Sequence, residues 1–182
     1  GVSLDAAAEQ LTNTALDSRR PRIALDSDNN VVIVWEEGTS PARAIQLIER
    51  SAITETFGTA SDLATNAADN ENPHCHFDDD DNLHVVWDVG GEILYRRRPQ
   101  GGSMSNAESL PLGTASDAIL PTVTSDDDTN IYVIWRHTDA DSFLTLGGAA
   151  SDANGQTGTF VDIVMPIPAL SLGMYEPHIA RA

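Results

Sequence analysis

HFDDDDNLHVVW (residues 76–87) sets four consecutive carboxylates between two apolar runs and ends on a tryptophan. Two further stretches are built the same way, ALDSDNNVVIVW (24–35) and TSDDDTNIYVIW (124–135). In each, a proline stands fourteen positions before the tryptophan: Pro21 and Trp35, Pro73 and Trp87, Pro121 and Trp135. An aspartate lies nine before it (Asp26, Asp78, Asp126) and an asparagine five before it (Asn30, Asn82, Asn130). Leu11, Leu63 and Leu110 precede the three prolines by ten or eleven residues. A fourth, partial copy follows, with Ile167 ten residues before Pro177 and HIA (178–180) matching RIA (22–24). The proline steps are 52, 48 and 56 residues, a period that marks a repeat architecture.

Each unit reads as strands. Val31, Ile33 and Trp35 alternate with Val32 and Val34, all apolar and mostly β-branched, and LHVVW and IYVIW follow suit. The run before each acidic turn, PRIALD in the first unit, pairs back across it as a hairpin. RAIQLIER, EILYRRR and SFLTL supply third strands, and the regions near Leu63, Leu110 and Val161–Val164 supply fourth ones. LDAAAEQL (4–11) has helical propensity, but its place in the repeat predicts an outer strand. Four antiparallel strands every ~50 residues describe a β-propeller blade. The expectation is therefore an all-β fold of β-propeller-type repeats, with about three four-stranded antiparallel blades plus flanking partial blades. Residues 1–182 form a single repeat domain, with units near 21–72, 73–120 and 121–176 and partial blades at 1–20 and 177–182. Propeller rings take about 4–8 blades, so two blade faces are left without a partner. Either the chain is part of a longer propeller, the preferred reading, or copies complete one another head to tail.

Composition narrows the partners. The formal charge is -18, all ten basic residues are arginine, and there is no lysine. So negative a surface repels nucleic acid and anionic membranes and suits brine or a medium rich in divalent cations. Cys75 is the single cysteine, which excludes an internal disulfide framework. No stretch approaches the ~20 apolar residues of a membrane helix.

The rhythm P-x-I-A-x-D, N-x-x-x-x-W, Y-R-R, G-G-S resembles the BNR or Asp-box repeats of sialidase-like β-propellers over nearly the whole chain. Gly101-Gly102-Ser103-Met104 is similar to the Gly-x-Thr-Trp end of an Asp-box, with Met in place of Trp. Thr56-Phe57 holds the equivalent place in the first unit. In the third, Ser151, Gly155 and Thr157 keep the spacing while Ala153 and Gly158 replace the Asp and the Trp. The resemblance implies the fold; the same repeats serve sialidases, lectin-like modules and structural surface proteins, so it does not choose an activity.

Several groups of residues could carry chemistry. Asp26-x-Asp28-x-Asn30, Asp78-x-Asp80-x-Asn82 and Asp126-x-Asp128-x-Asn130 have the 1-3-5 oxygen spacing of a calcium loop. They lack the glycine and the distal glutamate of an EF-hand, and hairpin turns favour the same residues. Calcium is thus a candidate ligand, foremost at 78–82, beside the plainer reading of a repeated turn. His74 and His76 share a strand face with Cys75 opposite, and Cys75 falls where Ile23 and Val123 stand, a buried apolar position. His84 aligns with Val32 and Tyr132. The resemblance draws Tyr95, Glu92 and Arg96-Arg97-Arg98 toward a sialidase-like site. Consecutive arginines alternate faces of one strand, however, and Arg50 recurs at nearly the same place, so pairing with aspartate or stacking on an aromatic ring is expected instead. The three tryptophans, each at the end of an inner strand, are expected between blades.

The function expected from these readings is a non-catalytic extracellular or cell-surface module for binding or assembly, including self-assembly through open blade faces. No catalytic residue is assigned. Its partners would be itself or the remainder of a longer propeller, and glycans, with neither nucleic acid nor membrane insertion. The alternative is part of a sialidase-like glycoside-active propeller enzyme.

Overall fold

A computed structural model describes residues 10–163 apart from 13, 66–67, 114–115 and 139–143. Most of the expected outer strand at 4–11 and the whole partial blade at 177–182 lie outside the described residues. The chain forms three four-stranded antiparallel sheets in sequence order. The first holds β1 (Ser18–Leu25), β2 (Val31–Glu37), β3 (Ala44–Arg50) and β4 (Ser61–Ala64). The second holds β5 (Asn70–Phe77), β6 (Leu83–Val89), β7 (Glu92–Arg98) and β8 (Glu108–Ser109). The third holds β9 (Ser116–Ser125), β10 (Ile131–Thr138), β11 (Leu144–Ser151) and β12 (Val161–Asp162). The leading strands pack on one another, β1 on β5 and β5 on β9, so the sheets radiate from a shared inner edge. Among the described residues no helix is long and apolar enough to cross a membrane.

Strand alternation explains the core. Val32, Val34, Ile45, Leu47 and Leu63 turn one face of the first sheet onto Cys75, Leu83, Val85 and Trp87 of the second. One step on, Val86, Ile93, Tyr95 and Leu110 meet Ala118, Val123, Ile131, Val133, Trp135 and Ala149. In the central sheet β6 is apolar and buried on both faces because a neighbouring sheet covers each. The tryptophans sit on the second strand of each sheet, one place out from the inner edge, and are 4%, 1% and 0% exposed. Met104, in place of the Asp-box tryptophan, packs into the first of these cores.

The acidic turns close by one device used three times. Asp26 N–H reaches Asn30 O, Asp78 N–H reaches Asn82 O and Asp126 N–H reaches Asn130 O, each at 3.1 Å. The carboxylate then accepts both the backbone and the side-chain N–H of the asparagine, at 2.8 Å each in the first turn. The residue before that asparagine (Asn29, Asp81, Thr129) takes the left-handed conformation.

At the opposite end of the sheets a second device recurs. The residues before the three repeat prolines, Arg20, Asn72 and Leu120, are left-handed at φ 49°, 53° and 56°. Each sits where the leading strand shifts register against its neighbour. Proline disfavours the ordinary helical region for the residue before it, and a bulge spends the extra residue on turning an N–H out of the ladder. That N–H is collected by the neighbouring sheet. Glu36, directly after Trp35, accepts Asn72 N–H at 2.6 Å. Asp88, directly after Trp87, accepts Leu120 N–H at 2.9 Å. The sheets are thus latched as well as packed.

Candidate functional site

A cleft of about 670 Å³ opens between the first and second sheets at the acidic-turn end. Asp26, Asp28 and Asn30 come from the β1–β2 turn, Glu49 and Arg50 from the end of β3, and Asp81, Arg98 and Gln100 from the second sheet. Phe57 and Phe77 add aromatic wall. The hairpin register puts Arg50 opposite Val31 and Arg98 opposite Leu83, so equivalent arginines stand at equal height in successive blades. Arg98 reaches across the cleft to Glu49 with both terminal nitrogens, Nη2 to Oε2 at 3.0 Å. Asp81 bridges the two turns, accepting Ser27 N–H at 2.7 Å and the Ser27 hydroxyl at 2.6 Å. A smaller cleft of about 380 Å³ lies between the second and third sheets, lined by Arg97, Pro99, Ser103, Ser105 and Gly155–Thr157.

The arginine run is therefore split. Arg98 pairs with a glutamate of the neighbouring blade, where aspartate or an aromatic ring was expected, because Glu49 ends β3 at the same height. Arg96 gives its protons to Ser105 O at 2.6 Å and Leu63 O at 2.5 Å, a structural clasp. Arg97 lines the smaller cleft.

Tyr95 is 1% exposed and packs edge-on against Phe160. Its hydroxyl lies 2.7 Å from His84 Nδ1 and 3.0 Å from Gly155 O. His84 Nε2 lies 3.0 Å from Asp78 Oδ2. The single hydroxyl proton of Tyr95 goes to Gly155 O, and His84 serves the Asp78 carboxylate from Nε2. Burial holds His84 below its usual range, while Asp78 stays below its own because His84 and Asn82 donate to it against the cost of its burial. Burial likewise drives the Tyr95 hydroxyl far up. Tyr95 is thus a core residue, sealed from any substrate. Sequence reasoning missed this network, although Tyr132 at the place of His84 makes the same reach to Asp126, at 2.9 Å.

His74 and His76 serve the inner edge. Val123 N–H approaches His74 Nδ1 at 3.4 Å, and Ser125 N–H reaches His76 Nε2 at 3.1 Å. Cys75 is buried, and burial pushes its thiol up to about 12.

The nine turn residues proposed for calcium stay in three separate turns. In each, the first aspartate and the asparagine bond to each other, and Asp80 and Asp128 turn their N–H groups to the first carboxylate, at 3.1 and 3.0 Å. Among the described residues no group of three or more His, Cys, Asp or Glu converges at metal-ligand spacing.

A second polar cluster occupies the latch end. Arg20 Nη1 meets Glu36 Oε1 at 2.8 Å and lies 3.7 Å from Glu71, while Arg43 pairs with Glu71 and stands 3.8 Å from Asp69. Asn72 Nδ2 donates to Asp88 at 2.7 Å. Burial, aided by Glu71 and Glu36, raises Asp88 to about 7.

No protein-family model matches this sequence, and no curated protein matches it. Solved structures do match. A protein of unknown function from Dyadobacter fermentans aligns at TM-score 0.65 and 12% identity, over 82% of this chain and 55% of its own. The Hadza microbial sialidase aligns at TM-score 0.62 and 10% identity, over 80% and 37%. A fucose lectin from Kordia zhangzhouensis, in complex with methyl-fucoside, aligns at TM-score 0.50 and 13% identity, over 80% of this chain and 99% of the lectin. The fold is all-β and of propeller type. The chain spans about half of the first of these proteins and about a third of the second. At such identities the likeness is one of fold.

Proposed function

We propose that the chain is a non-catalytic extracellular or cell-surface β-propeller module that binds glycans in the cleft between its first and second sheets. The observation that carries this reading is the lining of that cleft. Planar polar side chains (Glu49, Arg98, Gln100, Asp28) stand around a space of about 670 Å³ with Phe57 and Phe77 in its wall. Vicinal sugar hydroxyls suit paired donors and acceptors of this kind, an apolar sugar face suits an aromatic one, and ligand pockets fall in this size range. The fucose lectin, matched along 99% of its length, adds support from a protein of comparable extent. An acidic, lysine-free surface and a sialidase among the structural relatives fit an extracellular setting.

One observation favours a second reading, part of a glycoside-active enzyme. Asp88, raised to about 7, stands near Glu36 and Glu71, and a carboxyl that keeps its proton near neutrality is what an acid catalyst requires. Asp88 is 2% exposed and already holds Asn72 and Leu120 N–H, so the latch role is preferred.

A glycan array probed with the labelled chain, run beside chromogenic glycosides that include sialosides, tests the proposal. Saturable binding without turnover is expected. Turnover would establish the second reading, and absence of binding to every glycan would refute the first.

A further inference from the structure

The two clefts between successive sheets balance charge differently. In the first, Glu49 of β3 is paired by Arg98 of β7. The hairpin register puts Arg97, opposite His84, at the place that Glu49 holds opposite Val32. It puts Ser151, opposite Ile131, at the place that Arg98 holds opposite Leu83. The second interface therefore has a cation and a neutral hydroxyl where the first has an ion pair. Ser151 is 1% exposed, and its oxygen is occupied by the Gly155 N–H at 3.2 Å.

Arg97 is fixed in position. Ser105 holds its backbone N–H at 3.0 Å and its backbone oxygen at 2.7 Å. Among the described residues its buried Nε–H has no acceptor and its guanidinium has no ion pair. Arg43 also buries an Nε, but it pairs with Glu71. A buried donor without an acceptor is a cost that a bound acceptor removes. Arg97 carries the one charge among the residues lining the smaller cleft, and Ser103, Gln156 and Thr157 add hydroxyl and amide donors there. Beside that lining, Glu108 turns to the Gly158 N–H at 2.8 Å. The first cleft is instead lined by Asp26, Asp28, Glu49 and Asp81.

We infer that the smaller cleft is an oxyanion site, which takes a sulfate or carboxylate group on the Arg97 guanidinium beside the donors of Ser103, Gln156 and Thr157. The ligand supplies the anionic half of the pair that the first interface completes by itself. A net charge of -18 repels anions at long range, but physiological salt screens that field beyond about 8 Å, so the local cation governs. The site is separate from the proposed glycan cleft and does not depend on it.

Inorganic sulfate, acetate and a sulfated monosaccharide, titrated into the isotope-labelled intact chain at constant ionic strength, test the inference by amide NMR. Saturable shifts at Ser103, Ser105 and residues 155–157 are expected for at least one of them. Affinity should be at least about tenfold weaker in Arg97→Gln. Gln156→Glu, an exposed change that supplies a competing carboxylate, should weaken it too, and it decides the matter alone if Arg97→Gln fails to fold by circular dichroism. A sulfated sugar that binds more tightly than inorganic sulfate and than its unsulfated parent would support a glycan as the source of the oxyanion. Binding equal to that of inorganic sulfate would support a free ion at the same site. Shifts absent from the cleft for all three probes, or equal affinity in wild type and the folded variants, would overturn the inference.

Discussion

Glu36 of the first sheet receives the backbone N–H of Asn72 in the second at 2.6 Å, from a residue whose left-handed backbone exists to present it. The Glu36 side chain is 1% exposed and also carries the Arg20 ion pair. Glu36→Ala would leave the buried Asn72 N–H without an acceptor and Arg20 with Glu71 alone at 3.7 Å, a cost of about 1–3 kcal/mol. Urea denaturation measures it. Glu36→Gln, which keeps one acceptor oxygen, should lose less.

Trp87 fills the space between the first two sheets and donates Nε1–H to Asn70 at 2.9 Å. Trp87→Ala is expected to cost about 3–5 kcal/mol. A melting temperature equal to the wild type would remove it from the core.

Two buried groups set opposite pH slopes. His84 lies below its unfolded value, so the unfolded chain takes the proton first, and the His84 contribution is full above about pH 6.5 and lost as pH falls. Asp88 is raised from 3.8 to about 7, so the folded chain holds the proton longer, and the Asp88 contribution is lost as pH rises through that window. The stability of Asp88→Asn relative to wild type should therefore grow from about pH 4 to 7 and level off above it, by on the order of 1–3 kcal/mol. Thermal melts across that range read the difference. A flat difference would contradict the assignment.

The turns close with their own hydrogen bonds, the first carboxylate serving the asparagine in each. Chelator or millimolar calcium at constant ionic strength should move the melting temperature by less than about 2 °C. A larger calcium-dependent rise would establish the loops as cation sites.

Much of the fold was legible because the repeat writes it three times. Proline, acidic turn and tryptophan at fixed spacing mark the leading hairpin of each sheet, and the two-faced apolar run of β6 announces its cover on both sides. Site chemistry was harder to see because it joins residues the repeat does not align. Arg98 and Glu49 come from adjacent units, forty-nine positions apart, and only the height of the strand ends brings them together. The His84–Asp78–Tyr95 network hides behind an apolar position, since Val32 stands where His84 does. Its one sequence signal is the six-residue step from Asp78 to His84 repeated from Asp126 to Tyr132. The latch depends on a bulge, and a backbone conformation at a residue before proline leaves no compositional trace.

Arg98 is the most direct probe of the functional claim, because it spans the proposed glycan cleft yet pairs at a partly exposed site with little bearing on stability. Isothermal titration of the strongest array ligand into wild type and Arg98→Ala decides the matter. The account predicts affinity at least about tenfold weaker in the variant, with an unchanged melting temperature. Equal affinity in the two proteins would place the glycan elsewhere and contradict it.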